Sequence, residues 1–566
     1  MGFSALALLL FYSAWQAPGS LAPGNAPDHA QFMWFLRWFP YAAGHLQDPL
    51  LTSRIDIPGG VNLMWNTSIP LLAAALSPVT MLAGPVAAYT VLITAAPAVN
   101  AWTAFLALRR LVPGMAGPTA GALLFGFSPF VVAQSLAHPQ LTFLASAPLG
   151  LMALHSLVAR NASPWRAGAA LGVLAAGQLL VSEEVLVIEV VVAVLALALL
   201  AVFHAAQVKR TVPRLGRASA AAAVVFLVLA GAPLAVQFLG PQRPSGSPQP
   251  PSVFVTDAAN LVLPTELQWA APAVATDEYQ RRIGRNLAEE GGYIGVPLLL
   301  LGAVVSVAWW RRPLIRWAGV CALVTTVLAL GARLRVDGHA VGIPLPWGAF
   351  GALPLLGDVL PSRFMGLAFL FLAIVVGAAV QTLGSAVRGR TRGALATGLA
   401  AVVLSLLPAL PYPATDWTVP AYFTDGSARR IPEDSVALVA PFPDGEATQA
   451  MLWQASAGLR FRMVGGYAYH PDAAGRFTLR PAPSATRSIL HDVETGGAAQ
   501  RTRVEVDAMA RDLRAWDVRS IVVGPDDYHA QLVTVFTDLM RRPPDQVDGE
   551  VAAWYHVDAS GAALPS

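Results

Sequence analysis

The amino-acid sequence predicts a polytopic α-helical membrane protein with about 11 transmembrane helices and a C-terminal extracytoplasmic α/β domain. Three observations carry this. Of 566 residues, 55% are hydrophobic and only 13% charged, about half the charged share of a soluble protein. Apolar runs near the ~20 residues that a helix needs to cross a bilayer recur, as at Val185–Phe203, interrupted only by Glu189, and Phe364–Val380. After Pro411 the composition changes: residues 413–566 hold 20 of the 34 acids and 14 of the 37 basic residues.

The apolar runs lie near 1–16, 86–108, 115–135, 139–159, 166–182, 184–206, 218–239, 293–310, 314–332, 363–384 and 394–412. The first is short and lacks a basic start, and is read as an uncleaved first helix because spans follow it throughout. Alternate short loops carry Arg109 and Arg110; Arg160 and Arg166; Lys209, Arg210, Arg214 and Arg217; Arg311, Arg312 and Arg316; Arg388, Arg390 and Arg392. Positive loops stay cytoplasmic. The N-terminus is therefore expected inside, and the segments 17–85, 240–292, 333–362 and 413–566 outside. Domains are expected at 1–412, in the membrane, and 413–566, soluble.

Within the first outer loop, 28–46 reads as an amphipathic helix. Phe32, Trp34, Phe35, Trp38 and Phe39 crowd it with one arginine, which suits the membrane interface. Residues 70–82 are apolar but short for a span, and read as a helix dipping into the outer leaflet. In the last domain, 436–441 and 520–523 read as buried strands, 501–516 and 528–540 as amphipathic helices, and 554–557 as a last strand. The single cysteine, Cys321, sits in an apolar run, so no disulfide framework exists. There is no GxxxxGK[ST], no HExxH and no zinc-spaced Cys/His set, which excludes an ATP-driven pump and a zinc hydrolase of those types.

The acids of the membrane part are few, and Asp28, Glu183, Glu184, Asp257 and Glu290 are all expected at one face. A carboxylate at membrane depth is costly unless compensated, so acids gathered there mark a site. The long first outer loop with Ala26-Pro27-Asp28-His29, the dipping helix from Pro70, the span ending Leu108-Arg109-Arg110 and the segment Phe127-Ser128-Pro129 together resemble the GT-C superfamily of integral-membrane glycosyltransferases. So does Pro361-Ser362-Arg363-Phe364. The resemblance covers 1 to about 412 as architecture.

It implies a bacterial glycosyltransferase at the outer face of the cytoplasmic membrane, of hexosyl or pentosyl type. A polyprenyl-phosphate-linked sugar would be the donor. A cell-envelope glycan, lipid or protein would be the acceptor, with no nucleic-acid partner. It also implies an inverting reaction with one carboxylate as general base. No cofactor motif is present. The family's usual acidic pair is only partly met, because His29 follows Asp28, so a divalent cation stays open. The rival reading is a non-catalytic envelope-assembly protein or a lipid or glycan transporter. A carrier would show inverted repeats and midplane charges, which the sequence lacks.

Asp28 is read both as a helix N-cap and, by the resemblance, as the catalytic base. Glu184 is the second catalytic candidate, ahead of the deeper Glu189. His29, His138, Glu183, Arg363, Asp257 and Glu290 are the donor- or substrate-binding candidates. Arg363 is chosen because a guanidinium binds phosphate bidentately, with interface snorkelling as its alternative. For His29 the alternative is interfacial packing. A polar turn residue is the alternative for His138, a helix cap for Asp257, and a surface turn for Glu183.

Overall fold

A computed structural model describes residues 1–25, 28–250, 253–272, 286–353, 356–385 and 390–557. Ala26, Pro27, Arg281, Arg282, Arg285 and Arg388 lie outside the described residues.

Six helices among the described residues are long and apolar enough to cross a membrane: Pro70–Leu111, Ala116–Gln134, Pro139–Ala159, Glu183–Phe203, Val208–Leu239 and Pro361–Thr382. Val296–Ala308, Pro313–Ala329 and Arg392–Leu406 are apolar but shorter. The chain is thus a multi-pass membrane protein. Several apolar runs give less helix than their length suggests. The first stops at Leu10 and resumes as a 3-10 turn at Ala14–Gln16. The run at 115–135 breaks where Ser128 caps a new helix opened by Pro129, since proline cannot continue the preceding hydrogen-bond ladder.

Helix Pro70–Leu111 has 42 residues. A straight helix of that length would measure about 63 Å, twice the hydrocarbon thickness. It is divided at Gly84, whose φ of 87° and ψ of 170° only glycine adopts readily. Pro85 follows and lacks the N–H for the ladder. The dipping helix and the span of the sequence reading are the two halves.

Beyond residue 412 a five-stranded sheet runs in the order Gln546–Asp548, Val551–Tyr555, Val518–Val523, Val436–Ala440, Arg462–Met463. Val518–Val523 pairs parallel with Val436–Ala440 and antiparallel with Val551–Tyr555. Both Val436–Ala440 and Val551–Tyr555 are buried throughout, as expected where helices cover both faces. Helix Arg503–Ala515 starts with a capping box of Thr502 and Glu505, which satisfies two free N–H groups at once.

This segment packs on the loop that follows the first helix. Leu21–Pro23 pairs with Ala414–Asp416. Trp34 Nε1 donates to Gln454 Oε1 at 2.6 Å, and Gln454 Nε2 donates to the Arg54 carbonyl at 2.8 Å. One hydrophobic core holds Trp34 and Phe35 together with Trp453 and Phe461. The aromatic face of helix Asp28–Gly44, expected against lipid, is therefore buried against protein: Phe32, Trp34, Phe35 and Trp38 are each at most 3% exposed.

Candidate active site

Asp28 opens helix Asp28–Gly44. Its carboxylate lies 3.5 Å from His138 Nε2 and close to the Tyr467 phenol. Burial raises its pKa, but the hydrogen bond and charge of His138, with help from Tyr467 and His29, outweigh it, and the net shift is downward. The side chain is 20% exposed. Asp28 is thus ionised at neutral pH and still reachable.

His138 stands between two helical turns and is placed by its neighbours. Its Nδ1 is 2.7 Å from Gln134 Oε1, one turn back, and 3.7 Å from Glu289 Oε1. Asp28, His138 and Glu289 therefore form a row. Glu289 comes from the 3-10 helix Leu287–Glu289. Its side chain is 4% exposed. Burial pushes its carboxyl up, against the pull of His138, Ser362 and Gln134.

Arg363 closes the row. Its Nη2 donates to Glu289 Oε1 at 3.1 Å and its Nη1 pairs with Glu184. Glu184 also accepts from the Leu360 backbone N–H at 2.7 Å. This guanidinium is held by two carboxylates in the structure, so a donor phosphate would have to replace one of them. Buried pairs of this kind are strongly weakened when one partner is removed.

From the far end of the chain, Gly465–His470 roofs the row. Tyr467 is anchored by its carbonyl, which accepts from Gln31 Nε2 at 2.6 Å. Tyr469 is held by Asn66, whose Nδ2 donates to the Tyr469 carbonyl at 2.9 Å. Gln249 Nε2 donates to its phenol at 3.1 Å. Burial raises the pKa of both phenols, and the Asp28 charge adds to that rise.

The remaining sequence candidates take other positions. His29 is fully buried, and both ring nitrogens are used. Nε2 is 2.7 Å from the Leu136 carbonyl, and Trp417 Nε1 donates to Nδ1 at 3.0 Å. Burial lowers its pKa to about 4. A neutral ring with two protein partners fixes the helix start and leaves no nitrogen for a substrate. Asp257 accepts from the N–H groups of Ala259, Asp337 and Gly338 at 2.8, 2.9 and 2.8 Å. It clamps the hairpin Arg333–Pro344 rather than facing the row. Glu183 starts its helix beside Glu184, but none of the described ion pairs includes it. Glu290 follows Glu289 at the end of the 3-10 helix and is 3% exposed. Glu289, not Glu290, pairs with Arg363.

Sequence reasoning missed Glu289, Gln134, Tyr467 and Tyr469. The signals were present: Gln134 precedes His138 by one helical turn, and Gly-Gly-Tyr-Ala-Tyr-His is an aromatic, turn-rich run within the acidic segment. Among the described residues, no group of three or more His, Cys, Asp or Glu side chains is placed to hold a metal ion. The His138 ring stands between the carboxylates of Asp28 and Glu289, so this donor set does not fit a cation and no step is routed through one.

Residues 4–356 match the family described as "Domain of unknown function (DUF6311)". The chain belongs to that family. No curated protein sequence matches this DUF6311 chain. Among solved structures it is similar to the arabinofuranosyltransferase AftD from Mycobacteria, with a TM-score of 0.50 and 16% identity over 94% of this chain and 37% of that one. It thus spans little more than a third of AftD. The fold is that of the GT-C glycosyltransferases. Weaker likenesses are to the archaeal oligosaccharyltransferase AglB from Archaeoglobus fulgidus, in complex with an inhibitory peptide and a dolichol-phosphate, and to ArnT from Cupriavidus metallidurans bound to undecaprenyl phosphate. AglB gives a TM-score of 0.44, 11% identity, 95% of this chain and 71% of that one. ArnT gives a TM-score of 0.38, 14% identity, 100% of this chain and 98% of that one.

Proposed function

We propose that this DUF6311 protein is a glycosyltransferase of the outer face of a bacterial cell membrane. It moves a sugar from a polyprenyl-phosphate donor to a glycan, lipid or protein of the cell envelope. The observation that carries the reading is the state of Asp28. A general base must be ionised and reachable. Asp28 is both, whereas Glu184 is tied to Arg363 and to the Leu360 N–H.

In the proposed step an acceptor hydroxyl takes the place of the Tyr467 phenol on Asp28. Its oxygen attacks the anomeric carbon as its proton passes to the Asp28 carboxylate. The bond from that carbon to the donor phosphate oxygen breaks on the opposite side, and the phosphate leaves with the electron pair. The sugar is inverted. His138 keeps Asp28 charged until the proton arrives. Arg363, exchanging one carboxylate for the donor phosphate, stabilises the charge that develops on the leaving group. The outer-face placement rests on the arginine-bearing loops, which lie at the other ends of the helices that carry the row.

The test is sugar transfer from a polyprenyl-phosphate donor by purified wild-type protein and Asp28→Asn. Asp28 is the first residue inside its helix rather than its N-cap, and Asn keeps the shape of the side chain, so the fold should hold and the melting temperature change little. Turnover should fall by ~10²–10⁴. Unchanged turnover would leave Asp28 a structural residue and move the base to Glu184.

A further inference from the structure

Away from the row of acids, helices Ser146–Ala159, Pro164–Leu179, Glu183–Phe203 and Pro313–Ala329 line an apolar cavity of about 670 Å³. It begins beside Ser146 and Glu189 and ends at Arg110, His155 and His204. Both Ser146 and Ala159 line it, at the two ends of one helix, so it is about 20 Å long. Its walls between are leucine, valine and alanine, with Trp317 and Phe371.

At the arginine-bearing end it meets a second cavity, of about 700 Å³ and different in character. The two share Val158 and His204. The second is lined by Asn161, Arg210 and Thr211. Arg110 and Arg160 both lie close enough to His155 to act on it electrostatically. These cations have no acid nearby in sequence. No Asp or Glu occurs between Asp56 and Glu183, between Glu189 and Asp257, or between Glu290 and Asp337. Every loop of this face up to residue 336 is therefore free of carboxylates, so an anion at the basic rim would come from outside the chain.

A long apolar chamber joined to a polar, cation-lined one has the form of a lipid with a charged headgroup. Basic pockets between transmembrane helices at the cytoplasmic side hold anionic headgroups. We infer that the joined cavities bind one anionic glycerophospholipid, with an acyl chain beside Trp317 and the phosphate headgroup between Arg110, His204 and Arg210. The headgroup end lies at the opposite end of helix Glu183–Phe203 from Glu184, while the apolar chamber runs back along that helix to Leu186; the charged end is separate from the proposed donor site. Its assignment to the inner leaflet rests on the same positive-inside reading as the proposed function.

The experiment is lipid titration of the purified, delipidated full-length protein, followed by native mass spectrometry. The probes are phosphatidylglycerol and phosphatidylcholine with the same acyl chains. One phosphatidylglycerol should bind per protein, in preference to phosphatidylcholine. Arg110→Gln and Arg210→Gln should each weaken it about fivefold, from the typical effect of one basic residue at a lipid surface. Arg109→Gln, at the same face but outside the cavities, should leave it unchanged. Ala193→Trp fills the apolar chamber and should abolish binding with the cations intact. Variants are compared only where they keep the wild-type melting temperature; the two arginine variants suffice if Ala193→Trp does not fold. Equal binding of the two lipids would overturn the inference. So would full affinity in both arginine variants, or displacement of the bound lipid by polyprenyl phosphate. The readout needs no sugar transfer, so a protein inactive as a transferase still decides it.

Discussion

His138 Nε2 lies 3.5 Å from Asp28 Oδ2, although 109 residues separate the two in the chain. The ring is held from behind by Gln134 and Glu289. The pair joins the long loop after the first helix to the turn between two spans. It accounts for a carboxylate that stays charged in spite of burial.

Removing His138 should therefore act through Asp28. His138→Gln keeps a polar side chain but loses the interaction that lowers the Asp28 pKa. That pKa then rises, and the acid limb of the kcat/KM profile moves to higher pH. Misplacement of the base adds a loss of about 10²-fold at the optimum. A pH–rate profile of both proteins checks this. A lower rate with an unmoved acid limb would give His138 a packing role only.

Arg363 links Glu184 and Glu289. Arg363→Ala leaves two buried carboxylates without their cation and should cost about 3–5 kcal/mol of stability. Adding Glu184→Gln should recover part of that loss, because one of the stranded charges is gone. Arg363→Lys should recover only part, since an ammonium lacks the fork that reaches both acids. Thermal unfolding in detergent measures all three. Equal stability of Arg363→Ala and wild type would show that the pairs hold nothing together.

His29 makes the stability depend on pH. Its pKa is lowered to about 4 in the folded protein, against about 6.5 for a free histidine. The unfolded chain binds the extra proton first as pH falls. The contribution is complete above about pH 6.5 and is lost as pH falls toward 4. It amounts to about 3 kcal/mol over that window. His29→Gln lacks this component, so the difference between the two stability–pH curves should show it. Parallel curves would assign the buried ring no titration in this range.

The orientation can be read with single cysteines. Ser247→Cys and Asp527→Cys should both react with a membrane-impermeant maleimide on intact cells. The native Cys321 is 2% exposed and gives little background. Labelling only after permeabilisation would reverse the topology and remove the outer-face reading with it.

The sequence by itself determined the membrane character, the strand runs at 436–441 and 520–523, the two-part helix around Gly84 and the short loops in which the arginines gather. These depend on composition and short-range periodicity, which need no knowledge of distant neighbours. It also brought Asp28, His138, Glu184 and Arg363 into consideration, because charged groups beside apolar runs stand out. Their roles were decided by tertiary structure. A carboxylate's chemistry depends on which cation it meets, and those meetings join segments far apart. Glu184 meets Arg363 and is neutralised, Asp28 meets His138 and stays charged, and His29, next to Asp28 in sequence, turns the other way onto Leu136 and Trp417. Adjacent positions around a 3-10 turn point about 120° apart, and Glu289 reaches Arg363 while Glu290, at the C-cap, does not. Tyr467 comes close to Asp28 only because the segment after residue 412 shares a core with the long loop after the first helix, a contact that no local pattern encodes.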